Sequence, residues 1–153
     1  MSFPGRYLPG LALVAAAAAA LWQSVPRIDE DFRFTAAATE VSFWQRGGYR
    51  PDPATIGRTI AEAERLVADR PAHPDYLALA ADAWVWGGYY EPDRGTALVR
   101  VGRGLGLQQA SLALRPASLA ASRSLERYAV MAGREDVAAG AIAHLAQLRR
   151  GLN

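Results

Sequence analysis

The spacing of apolar side chains along this chain is that of α-helices from residue 31 to residue 150. Apolar residues recur every three or four positions, whereas the long runs of Val, Ile and Thr that favour strands are absent. Glycine, proline and aspartate interrupt the pattern and mark the connections between helices. The pattern therefore predicts an all-α fold, with helices over 31–47, 53–70, 74–87, 94–115, 117–132 and 136–150.

Two of the predicted helix ends share an aromatic sequence. Residues 44–49 and 84–89 both follow the order W-x-x-G-G-Y, and each copy is followed by a Pro/Asp turn. Glycine suits a helix end because it lacks the Cβ that crowds a left-handed backbone. We therefore expect both Gly-Gly pairs to end their helices, and Asp52, Asp93 and Asp136 to cap the helices that follow.

The predicted helix over 94–115 contains Gly102, Gly104 and Gly106. A glycine inside a helix costs roughly 1 kcal/mol relative to alanine. Two explanations stay open, a break or kink in the helix and the close approach of a neighbouring helix. A phosphate-binding loop is not expected, since the G-x-G-x-x-G spacing and a preceding strand are both absent.

The predicted helices pair into three hairpins, 31–47 with 53–70, 74–87 with 94–115, and 117–132 with 136–150. One hairpin cannot bury its own apolar face, but three stacked hairpins can.

The third hairpin resembles a tetratricopeptide repeat. Its apolar and small residues lie at or within one position of that family's pattern: Leu125, Tyr128, Gly133, Ala138, Ile142 and Leu145. Residues 110–116 resemble the end of the second helix of such a repeat. The resemblance covers residues 30–150, with a period of about 40–45 rather than the family's 34. It implies a helical scaffold that binds other proteins and has no catalytic residues.

Residues 8–25 carry no charge and are marginal for a membrane span, which needs roughly 20 apolar residues. Trp22 lies at the far end of this run, where an interfacial aromatic is expected. Arg6 before the run and the acidic residues 29–31 after it agree with an N-terminus on the inner side of the membrane.

Three interpretations of the N-terminal segment stay open: a retained signal-anchor, a cleaved signal peptide, and a helix buried in a soluble core. We favour the first. It predicts a transmembrane anchor over 1–27, which contacts the lipid bilayer through 8–25, and a tetratricopeptide-like helical domain over 28–153.

The composition narrows the classes of partner and chemistry. All 17 basic residues are arginines, they are interspersed with 15 acidic residues, and the net charge is only +2. No basic stripe forms, so nucleic acid is not an expected partner. The chain has no cysteine, which excludes disulfides and thiolate chemistry.

No constellation of residues predicts catalysis, a cofactor or a metal. His73 and His144 lack any ligand spacing. The serines lack a nucleophile context and are expected at the helix surface or at caps: Ser111, Ser118, Ser122 and Ser124. We therefore expect a protein that is not an enzyme, with no catalytic, cofactor-binding or metal-binding residues.

The aromatic residues are the candidates for partner binding, and they are Trp86, Tyr89, Tyr90, Trp44 and Tyr49. Repeated aromatics at hairpin elbows are first of all core residues, but Trp and Tyr also anchor partners or stack on sugars. Trp84 and Trp86 are two positions apart and cannot share one helix face. If Trp84 points inward, Trp86 or Tyr90 is expected to point outward. Trp86→Ala is then expected to weaken partner capture while leaving the fold largely intact.

A single N-terminal span followed by a small repeat domain is similar to accessory proteins of bacterial envelope and exopolysaccharide assembly. This weaker resemblance implies a non-enzymatic scaffold on the periplasmic side of a bacterial inner membrane. It would bind protein partners of an envelope complex for polysaccharide biosynthesis or export. The alternative is a small accessory subunit of a multi-subunit membrane enzyme that docks through its transmembrane helix.

Overall fold

The computed structural model describes residues 28–151, and this part of the chain contains six α-helices and no strand. The predicted all-α class is confirmed. The helices are α1 (28–44), α2 (Pro53–Asp69), α3 (Pro74–Tyr89), α4 (Arg94–Leu114), α5 (Leu119–Met131) and α6 (Glu135–Arg150). The bounds of α2 to α6 differ from the predicted ones by at most two residues.

The chain divides into two units, Met1–Arg33 and Phe34–Asn153. The predicted anchor over 1–27, with its apolar run 8–25, lies outside the described residues. Among the helices described from residue 28 onward, none is both long and apolar enough to cross a membrane.

Side-chain caps fix three of the helix starts. The carboxylates of Asp52 and Asp93 accept hydrogen bonds from the backbone N–H groups of Thr55 (2.8 Å) and Thr96 (2.7 Å), as predicted. These bonds lower the pKa of both aspartates below the ordinary value. Ser118 caps α5 in the same way.

The predicted cap at Asp136 is wrong. α6 already begins at Glu135, and Asp136 is the second residue of the helix. Its carboxylate pairs with the Arg134 guanidinium at 2.9 Å. Acidic residues in a first helical turn are favourable because they complement the positive end of the helix dipole.

The two W-x-x-G-G-Y copies have different structural roles. After α1 ends at Trp44, Gly48 has a φ of +97°, a conformation that favours glycine. In the second copy Gly87 and Gly88 lie inside α3, so the prediction that they end the helix is wrong. A Cβ on Gly88 would lie 2.8 Å from Val101 Cγ2 of α4, so this glycine permits helix packing.

α4 runs without a break through all three of its central glycines. A Cβ on Gly104 would lie 2.5 Å from Val85 Cγ2 and 2.8 Å from the Ala81 carbonyl oxygen. Of the two explanations for these glycines, close approach of a neighbouring helix is therefore correct at Gly104. Gly102 and Gly106 are exposed, with no neighbouring atom within 4 Å of a Cβ.

Consecutive helices pack against one another from α2 to α6, and the contact between α3 and α4 is the most extensive. This arrangement is compatible with a helical-hairpin repeat fold. The largest fully buried side chains come from every helix except α6: Trp44, Tyr128, Leu66, Gln108, Val41, Val85 and Ser122.

Two buried polar side chains of α4 join it to α3 and to α5. Ser111 Oγ donates to the carbonyl of Pro74 at 2.8 Å, and Gln108 Nε2 donates to the carbonyl of Ala121 at 2.9 Å. Ser111 and Ser122 are buried, so their predicted place at the helix surface is wrong. The reason is that a hydroxyl can be buried when it reaches a backbone carbonyl.

Candidate partner-binding surfaces

The two aromatic copies meet at one end of the hairpins. They enclose an elbow pocket of about 460 Å³, lined by Arg46, Gly47, Gly48, Tyr49, Arg50, Tyr89, Tyr90, Glu91 and Pro92. Three of the five aromatic residues predicted for partner binding thus lie in one concavity. Their common position follows from the repeat, because corresponding loops of stacked hairpins lie side by side.

Tyr90 connects the two copies. Its hydroxyl donates to the carbonyl oxygen of Trp44 at 2.7 Å, and the carbonyl oxygen of Tyr49 lies 3.3 Å away. The Tyr90 ring is half-buried and packs against the core. Tyr90 therefore braces the pocket and exposes only part of its side chain to a partner.

Glu40 of α1 holds the first copy in place. Its carboxylate accepts hydrogen bonds from Trp44 Nε1 at 2.9 Å and from the Tyr49 hydroxyl at 2.6 Å. The bond to Glu40 raises the pKa of Tyr49 above its ordinary value. Trp44 is only 1% exposed, so its side chain belongs to the core, whereas Tyr49 is 37% exposed at the pocket.

Tyr89 is the most exposed aromatic residue of the pocket, at 63%. Its ring makes edge contacts with the rings of Trp86 (5.5 Å between centroids) and Tyr90 (5.1 Å). Offset and edge contacts of this kind favour one orientation of the ring. Tyr89 is therefore both solvent-accessible and held in place.

Trp84, Trp86 and Tyr90 are all half-buried, so the expected arrangement, with Trp84 inward and Trp86 or Tyr90 exposed, is not observed. Trp84 Nε1 donates to the Glu64 carboxylate of α2 at 3.1 Å. Trp86 Nε1 is buried and has no hydrogen-bond partner within the described residues.

The elbow pocket carries unmatched positive charge. Arg46 lies 4.7 Å above the Phe43 ring, and neither Arg46 nor Arg50 forms an ion pair with any described residue. The one acidic residue of the lining, Glu91, pairs with Arg100 at 3.0 Å. Arg100 in turn donates to the Gly87 carbonyl at 3.1 Å, and Glu91 forms no ion pair with Arg46 or Arg50.

A second concavity, the α1–α3 groove, has a volume of about 280 Å³. It is lined by Phe34, Ala38, Val41, Ser42, Gln45, Asp75, Ala78, Leu79 and Asp82. Sequence reasoning missed this surface. The available signal was Asp82, a carboxylate in the middle of the otherwise apolar run 76–87.

Asp82 of α3 accepts a hydrogen bond from the hydroxyl of Tyr128 of α5, which links the second hairpin to the third. Burial raises the pKa of the Asp82 carboxyl, although the Tyr128 bond and the charge of Arg127 oppose the shift. Burial also raises the pKa of Tyr128. The Arg127 guanidinium lies over the Tyr128 ring, 5.4 Å from its centroid.

Neither histidine lines either surface. The His73 ring stacks on Tyr76 at 4.1 Å, and His144 Nε2 lies 2.6 Å from the Pro116 carbonyl oxygen. Between residues 28 and 151, no three His, Cys, Asp or Glu side chains come together in a group that could hold a metal ion.

No family model, no curated protein and no solved structure matches this chain. The resemblance to tetratricopeptide repeats therefore rests on the sequence pattern, and the six helices of residues 28–151 are compatible with it.

Proposed function

We propose that residues 28–153 form a non-enzymatic, tetratricopeptide-like scaffold domain that binds a partner protein at the elbow pocket. The observation that carries this proposal is the exposed Tyr89 ring held between Trp86 and Tyr90. Tyrosine and tryptophan are enriched at binding hot spots. A ring that is already fixed loses little side-chain freedom when a partner covers it.

The charged residues of the elbow pocket indicate which partner side chains it would bind. Arg46 and Arg50 line the pocket without an ion pair to any described acidic residue, and Glu91 is neutralised by Arg100. An acidic group beside an apolar or aromatic side chain on the partner complements this surface. Such complementarity favours the correct register and speeds association.

The proposed setting is a bacterial inner membrane, with residues 1–27 as a single-pass anchor and the helical domain on the periplasmic side. The charge-free run 8–25, Arg6 before it and the acidic residues 29–31 after it support this orientation. The partner is then a protein of an envelope complex, and polysaccharide biosynthesis or export is the pathway that the topology suggests.

The test is site-specific photo-crosslinking of the full chain in membranes of its native host. A photoreactive residue replaces Tyr89 in one variant and Val130 of α5, which is 66% exposed, in the control. We expect a discrete adduct from position 89, absent from position 130 and lost when Arg50→Glu is added. Equal adducts from both positions, or none from position 89, would contradict the proposal.

Exchange of residues 8–25 for an unrelated apolar span distinguishes the scaffold from the alternative subunit. The adduct at position 89 persists after the exchange if the helical domain is the working part. Its loss, with the protein still in the membrane, favours a subunit that docks through its transmembrane helix.

A further inference from the structure

We infer that the α1–α3 groove binds a lysine or arginine side chain of a partner polypeptide, with the Asp82 carboxylate as its counter-ion. This inference rests on the proposed function, because it assumes a protein partner. It concerns a different surface from the elbow pocket, with the opposite charge preference, so the two can fail separately.

The size and lining of the groove suit a single long side chain. Its volume of about 280 Å³ is just below the roughly 300–1,000 Å³ of sites that enclose whole small molecules. Phe34, Val41 and Leu79 supply apolar walls. Lysine and arginine pack their methylene stems on such walls while the charged head reaches a polar group.

The Asp82 carboxylate is available at the groove. One oxygen, Oδ1, accepts the bond from Tyr128, whereas Oδ2 accepts no hydrogen bond from any described residue. Within the same part of the chain, the fully buried side-chain atoms that lack a partner belong to His73, Trp86 and Gln108. Oδ2 is not among them, so it is reachable through the groove that Asp82 lines.

The cations between residues 28 and 151 leave Asp82 without a salt bridge. Asp75, the other carboxylate of the groove, is held by both terminal nitrogens of Arg115, at 2.6 and 2.7 Å. Arg127 lies over the Tyr128 ring and forms no ion pair with Asp82 within 4.0 Å. A partly buried carboxylate without a salt bridge is unfavourable, and a bound basic side chain provides the missing pair.

The proton equilibrium of Asp82 should make the binding of a basic side chain depend on pH. Burial raises the pKa of Asp82, so acidification neutralises this carboxyl before an ordinary one. The groups that face it are Arg127, Tyr128 and the Asp75–Arg115 pair, and the raised pKa of Tyr128 keeps its hydroxyl neutral. Affinity for a basic side chain should therefore fall as the pH is lowered, and Asp82→Asn should remove that dependence.

The experiment selects peptides from a random displayed library on the purified full chain in detergent. We expect selected peptides to share a lysine or arginine at one fixed position. Changing that residue to norleucine should weaken binding at least about tenfold, because hydrogen bonds to charged groups are the stronger ones. Asp82→Asn in the protein should weaken it to a similar extent. Asp75→Asn removes one charge from the same groove and should have a much smaller effect.

Two further variants separate binding from folding. Asp82→Asn keeps an acceptor for Tyr128 and removes a buried charge, so it should melt no lower than the wild type. Tyr128→Phe keeps the carboxylate and should retain peptide binding even where it lowers the melting temperature. Loss of binding only in variants that unfold would overturn the inference.

The selection also distinguishes this inference from the proposed function. Selected peptides without a fixed basic residue overturn the inference, as does an unchanged dissociation constant in Asp82→Asn. If the peptides are instead acidic and lose binding in Arg50→Glu, the elbow pocket is supported and the groove inference fails. Basic peptides that bind without any crosslink at position 89 support the groove alone.

Discussion

Gly104 of α4 lies so close to Val85 of α3 that a Cβ on the glycine would be 2.5 Å from Val85 Cγ2. The next nearest atom, 2.8 Å away, is the backbone carbonyl oxygen of Ala81, which cannot move without displacing the helix. Val85 itself is fully buried. The central hairpin therefore depends on the absence of a side chain at position 104.

Gly104→Ala should lower the free energy of unfolding by about 1–3 kcal/mol, the range found for overpacked cores. Gly102→Ala and Gly106→Ala are matched controls, because they lie in the same helix with nothing within 4 Å. Each should be neutral or stabilising by up to about 1 kcal/mol, since alanine favours helix over glycine. Urea denaturation followed by circular dichroism measures all three, and equal effects would refute the close contact.

In the first aromatic copy, a glycine is needed for its backbone conformation rather than for close packing. Gly48 has a φ of +97°, whereas Gly47 does not have a positive φ, and neither would bring a Cβ within 4 Å of another atom. Gly48→Ala should therefore destabilise the fold by about 1–2 kcal/mol through backbone strain alone. Gly47→Ala should cost much less. Thermal melts of the two variants give the comparison, and a more harmful Gly47→Ala would contradict it.

The helices could be predicted from sequence because their signals are local. Asp52 and Asp93 cap helices through bonds to residues three positions away, and this spacing is visible in the sequence. The role of Gly88 was not predictable in the same way. It depends on Val101 of the next helix, whereas an identical Gly-Gly pair at 47–48 lies in the turn after α1.

The candidate surfaces were predictable only in part, because their contacts join residues that are far apart in the sequence. Tyr49, Tyr89 and Tyr90 were candidates from the sequence, and the structure places them in one pocket. The contact between Tyr90 and Trp44 spans 46 positions, as does the contact between Tyr128 and Asp82. No sequence period indicates which polar atoms meet over that distance.

Trp86 should contribute more to stability than to partner binding, which revises the expectation from sequence. It is half-buried and packs against the core, so Trp86→Ala should destabilise the fold by about 3 kcal/mol. Tyr89→Ala removes a mostly exposed ring with two edge contacts and should cost only about 1 kcal/mol. Thermal melts of both variants measure the contribution to stability, and crosslinking measures the contribution to partner binding. A stable Trp86→Ala variant that fails to bind would restore the original expectation.

Tyr128 should make the fold sensitive to alkali. Burial, together with the neighbouring Asp82, raises the pKa of Tyr128 above the ordinary 10.0. An unfolded tyrosine loses its proton near pH 10, whereas the folded one keeps it, so the folded state binds more protons above that pH. The stabilisation from this difference is complete below about pH 10 and is lost progressively as the pH rises beyond it.

The free energy of unfolding, measured by urea titration between about pH 8 and about pH 11, should therefore fall more steeply in the wild type than in Tyr128→Phe. Tyr49→Phe is the control, because the Tyr49 hydroxyl bonds to Glu40 at the exposed elbow. The free energy of unfolding of Tyr49→Phe should fall with rising pH nearly as steeply as that of the wild type. Parallel curves for the wild type and Tyr128→Phe would show that the buried hydroxyl is not the titrating group. A fall that disappears in Tyr49→Phe would place the sensitivity at the elbow rather than between the second and third hairpins.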